Sequence, residues 1–268
     1  MAQDQPGRWP QIDTKTASIA RIYDYWLGGK DNFKADREAA ELMIQQYPDI
    51  VTGVRKNRAF LGRAVHYLAA EAGIRQFLDI GTGLPSSNNT HEVAQRAAPE
   101  SRIVYVDNDP MVLAHARALL KSAPGGEVGY VDADVRDAAS IIAGARETLD
   151  FRQPVAVLLL FTLAYVGGAE AAMVVSSLMA AVPPGSYLAL YHLASDMDPE
   201  LGEAAVQWNT MMPAQPISPR SRGEVAGLAA GLDFVLPGLT PATAWRPAHG
   251  DPQFDRAVPL YGLVARKP

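Results

Sequence analysis

Cysteine is missing altogether, so disulfides, thiolate nucleophiles, cysteine-held zinc and iron–sulfur clusters are excluded. The five histidines show no ligand spacing of the His-Glu-x-x-His kind, and no metal site is expected. Excess positive charge is also lacking: 24 basic residues face 29 acidic ones, a net charge of −5. That balance offers no electrostatic footprint for nucleic acid or an anionic membrane. Long apolar runs are absent too. The best, Pro154 to Val166, is too short to cross a bilayer, and the first 25 residues carry Asp4, Asp13 and Asp24 where a secretory signal needs an unbroken apolar stretch. A cytoplasmic location is therefore expected.

What remains is a globular composition, 48 % hydrophobic and 20 % charged, with length for one sizeable core. Residues 1 to about 13 are polar and proline-bearing, as in a frayed tail. From Thr16 to Leu27 the residues Ile19, Ile22, Tyr23, Trp26 and Leu27 recur at helical spacing before the stop Gly28-Gly29. A second helix is expected from Asp36 to about Tyr47 and a third from about Gly53 to Ala72. After Gly73 short apolar runs alternate with helical segments, the pattern of repeated βα units on a parallel sheet. The strands read as Gln76 to Ile80, Arg102 to Val106, Val128 to Asp132, Pro154 to Leu160 and Ser186 to His192, with helices near 88–98, 110–121, 137–146 and 168–182. Residues Ser195 to Pro219 read as an insert holding a helix near 200–211, the capping box Ser221 to Glu224 opens another helix, and two last strands fall near 233–236 and 258–265. The expected division is a helical extension or lid over residues 1–75 and a ligand-binding α/β unit over 76–268, forming one structural domain.

Three features carry chemistry. Strand Phe77-Leu-Asp-Ile ends in Gly81-Thr82-Gly83, where a parallel sheet delivers its first turn to a ligand and glycines permit close backbone approach. Asp107 ends the second strand, 24 residues after Gly83, where a carboxylate can accept both hydroxyls of a ribose. Asp134-Val135, after the third strand, offers a carboxylate and an N–H to an adenine edge. Each aspartate alone is as readily a turn residue or helix cap; their order spells an adenosine. A nicotinamide cofactor is the first alternative, but Ser86 stands where its fingerprint needs a third small residue and Pro85 removes a backbone donor. Asp79, inside the strand, instead suits the ammonium of a sulfonium cofactor with an amino-acid tail, although an acid there can also bond a neighbouring loop.

The strings Ile19-Ala-Arg-Ile-Tyr-Asp-Tyr-Trp-Leu-Gly-Gly-Lys-Asp-Asn-Phe33, Gly73-Ile-Arg-Gln-Phe-Leu-Asp-Ile-Gly-Thr-Gly-Leu-Pro85 and Val104-Tyr-Val-Asp-Asn-Asp-Pro-Met-Val-Leu-Ala-His-Ala-Arg117 are specific. Through them the chain resembles the S-adenosylmethionine-dependent methyltransferases of the seven-stranded Rossmann-like class, and more narrowly a mainly actinobacterial group long known as a domain of unknown function. The resemblance implies an α/β fold with strand order 3-2-1-4-5-7-6, the last strand antiparallel, and S-adenosylmethionine held by Asp79, Gly81, Gly83, Asp107, Asn108, Asp134 and Val135. Thr82 and Phe161 complete the expected set. It names no acceptor beyond a small molecule, and it leaves open a non-catalytic cofactor-binding or sensor protein. One departure concerns the end of the fourth strand, Phe161-Thr-Leu-Ala-Tyr165: Ala164 stands where related sequences carry histidine.

Asp24 to Phe33 is expected to fold over the cofactor, with Tyr25 or Trp26 facing the sulfonium or adenine; the competing reading places both rings in the core. Arg21, Lys30, Arg58 and Arg63 are candidates to hold an acceptor carboxylate, although 11 basic and 9 acidic residues in 1–75 make ordinary ion pairs sufficient. In-line displacement from a sulfonium needs alignment and exclusion of water, and a base only for a protonated acceptor. His192 is the first base candidate and Tyr165 the second, both near strand ends. Trp208, Met211 and Met212 form either an acceptor pocket for a flat apolar molecule, or a dimer contact or plain packing onto the sheet.

Overall fold

A computed structural model describes residues 12–247 and 258–268; of the tail expected over 1–13, residues 1–11 lie outside that range. Helices α1 (Ile19–Trp26), α2 (Lys34–Gln46) and α3 (Ile50–His66) precede the sheet, and a π-helical turn, Tyr67–Glu71, prolongs α3. Then β1 (Gln76–Ile80), α4 (Thr90–Ala97), β2 (Arg102–Asp107), α5 (Pro110–Leu119), β3 (Glu127–Asp132), α6 (Ala138–Ala145) and β4 (Ala156–Leu160) alternate. A 3-10 turn (Thr162–Tyr165), α7 (Glu170–Ala181), β5 (Tyr187–Leu193), α8 (Pro199–Met211), α9 (Arg222–Leu228), β6 (Asp233–Phe234), β7 (Thr240–Pro241) and β8 (Leu260–Arg266) follow.

The sheet runs β3-β2-β1-β4-β5-β8-β6, parallel from β3 to β5, with β8 antiparallel to β5. This is the expected Rossmann-like order with one amendment: the described residues form eight strands, because the two-residue β7 pairs with Gly262 and Tyr261 beside β6 on the outer side of β8. Two residues carry no period for a sequence to show. Strands β1, β4 and β5 are buried along their whole length, as parallel strands covered by helices on both faces must be.

Alternation along β1 divides the core. Phe77 points toward α1, α2, α3 and α8, among Ile22, Trp26, Phe60 and Trp208. Leu78 and Ile80 point toward α6, α7 and α9, among Ile141, Val175 and Val225. Asp79 therefore shares the face of Phe77, under the N-terminal helices. Trp26 belongs to that core, 4 % exposed with its ring 6.1 Å from Trp208. Asp109 starts α5 by accepting the Met111 N–H at 2.8 Å ahead of Pro110, a carboxylate cap with proline at the first helical position. These starts aim the carboxyl ends of β1, β2 and β3 at one edge of the sheet.

Candidate active site

At the tip of β1 the chain turns through Gly81 (φ 71°) and Gly83 (φ 66°), left-handed values that only glycine adopts freely. A Cβ on Gly81 would lie 2.4 Å from the Thr162 hydroxyl, which donates to the Ile80 carbonyl at 2.6 Å. Space is open above Gly83, whose N–H donates to Asp107 Oδ2 at 2.9 Å; Oδ1 of Asp107 accepts the Asp109 N–H at 3.0 Å. Each oxygen keeps accepting capacity for a ligand hydroxyl. Asp79 Oδ2 accepts the Thr90 hydroxyl at 2.6 Å. Burial raises both carboxyls to about 6, against the pull of Thr90 and Arg58 at Asp79 and of backbone N–H groups at Asp107.

Beyond β3, Asp134 is already engaged. It accepts from the Asn108 side chain at 3.1 Å, from the Arg136 N–H at 2.9 Å and from the Arg136 guanidinium at 3.1 Å. Arg136 also reaches Glu170 at 3.3 Å and the Tyr165 carbonyl at 2.8 Å. Opposite the sheet tips stand Ser18, Ile19, Ala20 and Tyr23 of the first helical turns and Asn57, Arg58 and Leu61 of α3. The Ser18 hydroxyl donates to Asp109 at 2.7 Å, and the Ile19 N–H to Gln215 Oε1 at 3.2 Å. Together these groups enclose a cleft with about 1380 Å³ of empty space, part of it open to solvent.

Over residues 6–268 the chain matches the family model described as S-adenosyl methyltransferase. The chain belongs to that family. A DUF574 family protein from Streptomyces avermitilis is 44% identical to it, with 96% of this chain and 99% of that one covered and a TM-score of 0.89. A candidate methyltransferase from Thermobifida fusca is 38% identical over 96% of this chain and 97% of its own, at a TM-score of 0.87. An O-methyltransferase family protein from Burkholderia thailandensis, 16% identical with 91% and 75% coverage and a TM-score of 0.54, shares the fold. No curated protein matches. The protein is thus an S-adenosylmethionine-dependent methyltransferase, which sets aside the nicotinamide and sensor readings. Among the described residues no helix is long and apolar enough to cross a membrane.

The cleft gathers Asp79, Gly81, Thr82, Gly83, Asp107, Asn108, Asp134, Val135, Phe161 and Tyr165. Two expected residues lie elsewhere. Tyr25 bonds Glu41 on α2, because on α1 the residues 19, 20 and 23 share the cleft side and 25 falls on another. Tyr23 takes that place, its phenol pushed up to about 12 by burial. His192 is fully buried: Nδ1 bonds the Leu193 carbonyl at 2.9 Å and Nε2 meets Arg220 at 2.5 Å. Burial lowers it to about 4, so it is a neutral pin rather than a base. Arg220, thus held, donates to the carbonyls of Leu163 at 2.8 Å and Val166 at 2.5 Å and fixes the turn that carries Phe161 and Tyr165.

Of the four cations singled out, Arg58 alone lines the cleft. Arg21 pairs with buried Asp36 at 2.8 Å, Arg63 serves the carbonyls of Trp245 and Ala242, and Lys30 is exposed. Trp208 is core, and Met211 and Met212 pack against it; the insert reaches the cleft through Ala214, Gln215 and Pro216 instead. Arg58 lies in Asn57-Arg-Ala-Phe60, a string similar to the family's that gave it no role, and Arg136 lies in none; the role of each is defined by what the folded loops bring to it.

Proposed function

We propose that Asp79, Asp107 and Arg58 hold S-adenosylmethionine between the sheet tips and the N-terminal helices, and that a small molecule entering beside Tyr23 and Phe161 receives the methyl group. The observation that carries this reading is a complementary charge set in one cleft. Two buried carboxylates face a guanidinium that, among the described residues, pairs with no acid. Among the described residues Arg58 Nη2 meets only the carbonyls of Ser87 and Asn88, each at 2.9 Å, while its buried Nε has no partner. A zwitterionic amino-acid tail supplies what both sides lack: an ammonium for Asp79 and a carboxylate for Arg58. Asp107 would take the ribose hydroxyls, with Asn108, Asp134 and Val135 beside the adenine and Gly81, Thr82 and Gly83 giving close backbone approach.

The bound cofactor supplies an electrophilic methyl group on sulfonium. The chain contributes alignment by the strand tips and exclusion of water by residues 12–75 acting as a lid. Tyr165, whose hydroxyl burial keeps protonated far above neutral pH, acts as a wall and hydrogen-bond donor, not as a base. Dependence on a cytosolic metabolite supports a cytoplasmic location. Calorimetry tests the assignment. Wild type should bind S-adenosylhomocysteine in the micromolar range, and Arg58→Met should weaken it about 10- to 100-fold, the worth of a charged hydrogen-bonded pair. Methylthioadenosine, which lacks the amino-acid tail, should bind both proteins equally; an equal loss for both ligands would refute the role of Arg58.

A further inference from the structure

Tyr23, Asn57, Phe161 and Tyr165 line the cleft beside the strand tips that the cofactor would occupy. A second, smaller space adjoins it, part of it open to solvent, and Tyr23, Asn57 and Phe161 line both. The recess is apolar, walled by Val54, Leu193, Leu201 and Leu260. Its tyrosine hydroxyls are already engaged. Tyr47 donates to Asp198 at 2.8 Å, Tyr191 to the Gly53 carbonyl at 3.0 Å, and Tyr23 accepts from Asn57 at 2.6 Å. Among the described residues only one acid, Asp49, borders the recess, and it has a partner of its own.

Two features at the junction point to a ligand. Phe161 holds φ at 79°, a left-handed backbone that costs a non-glycine residue and concentrates at binding sites. Its ring centroid lies 5.8 Å from that of Tyr165, 6.3 Å from Tyr191 and 6.4 Å from Tyr23, the hub of an aromatic cluster. Asn57 is 7 % exposed, and while its Nδ2 serves Tyr23, its buried Oδ1 has no partner. A buried acceptor left unpaired among the described residues is costly, and a ligand N–H or O–H would complete it.

We propose that the methyl acceptor is a neutral ring compound with one hydrogen-bond donor, its ring among Tyr23, Phe161 and Tyr165, its apolar end in the recess and its donor on Asn57 Oδ1. This rests on the cofactor reading above, which places S-adenosylmethionine in the Asp79 and Asp107 half of the cleft and commits Arg58 to it. An anionic acceptor then finds no free cation among the described residues of the recess, and a cationic one no free carboxylate.

The test titrates protein saturated with S-adenosylhomocysteine against four rings of matched size: 4-methylphenol, toluene, 4-methylbenzoate and 4-methylbenzylammonium. The phenol should bind tightest, about tenfold ahead of toluene, with both ions weaker still. Asn57→Leu should erase the preference for phenol over toluene while the affinity for S-adenosylhomocysteine stays within about twofold. Should that variant fail to fold, the wild-type ranking decides alone. A phenol no better than toluene, an ion that binds best, or no binding to the loaded protein would overturn the proposal alone. Failure to take up S-adenosylhomocysteine would overturn the cofactor reading and this proposal with it.

Discussion

Asp79 and Asp107 are buried carboxyls without a cationic partner in contact among the described residues, raised from 3.8 to about 6 chiefly by desolvation. The cofactor's ammonium and ribose hydroxyls favour the ionised forms, so affinity for S-adenosylmethionine should hold above about pH 7 and fall as pH drops through about 6; calorimetry across that range checks it. The same burial strains the ligand-free protein. A carboxyl whose folded pKa is raised binds its proton more readily when folded, so its ionisation destabilises the fold as pH rises from 3.8 to about 6. Asp79→Asn should therefore be more stable than wild type at pH 7 by about 1–3 kcal/mol in denaturant unfolding. That gain should vanish below pH 4, while cofactor binding falls at neutral pH. His192 has the opposite sign. Its pKa, lowered from 6.5 to about 4 by burial, contributes stability that is present above pH 6.5 and lost as pH falls toward 4. His192→Gln should flatten that acid loss and leave the pH profile of turnover unchanged, which a catalytic base would not.

Helix α1 is tied down through one residue of α2. Asp36, fully buried, accepts the Ser18 N–H at 2.9 Å, Arg21 Nε at 2.8 Å and the Phe33 N–H at 2.7 Å. Asp36→Ala strands the buried Arg21 charge, a loss of about 3–5 kcal/mol. Amide exchange over residues 18–33 should quicken and S-adenosylhomocysteine should dissociate faster, with exchange in β4 and β5 little changed if α1 opens locally. Elements of this kind were largely legible beforehand. Asp109-Pro110 and Ser221 with Glu224 announced helix starts through local hydrogen bonds, which need no distant partner. The apolar runs of β1, β2, β4 and β5 announced buried parallel strands. What escaped depends on contacts distant in sequence. The spacing of α1 defined a helix but not which side meets the cleft, so Tyr25 stood in for Tyr23. His192 read as a base because Arg220, which claims its Nε2, lies 28 residues away. Arg58 was one cation among several until the loop at Ser87 and Asn88 closed on it.

At the scale of the molecule, the sheet supplies a rigid floor and the first three helices a roof, and the site lies where the two meet. Its parts come from residues as far apart as Ser18 and Pro216, so ligand binding should stabilise the whole fold. Saturation with S-adenosylhomocysteine at 100 times its Kd should raise Tm by roughly 5–10 °C, read by calorimetric melting. The most direct measurement is a crystal structure of the complex with S-adenosylhomocysteine. The account predicts ribose hydroxyls on Asp107, the ammonium within hydrogen-bond reach of Asp79 or one water away, and the carboxylate on Arg58. A nucleoside bound elsewhere, or bound here with those three side chains turned away from it, would contradict it.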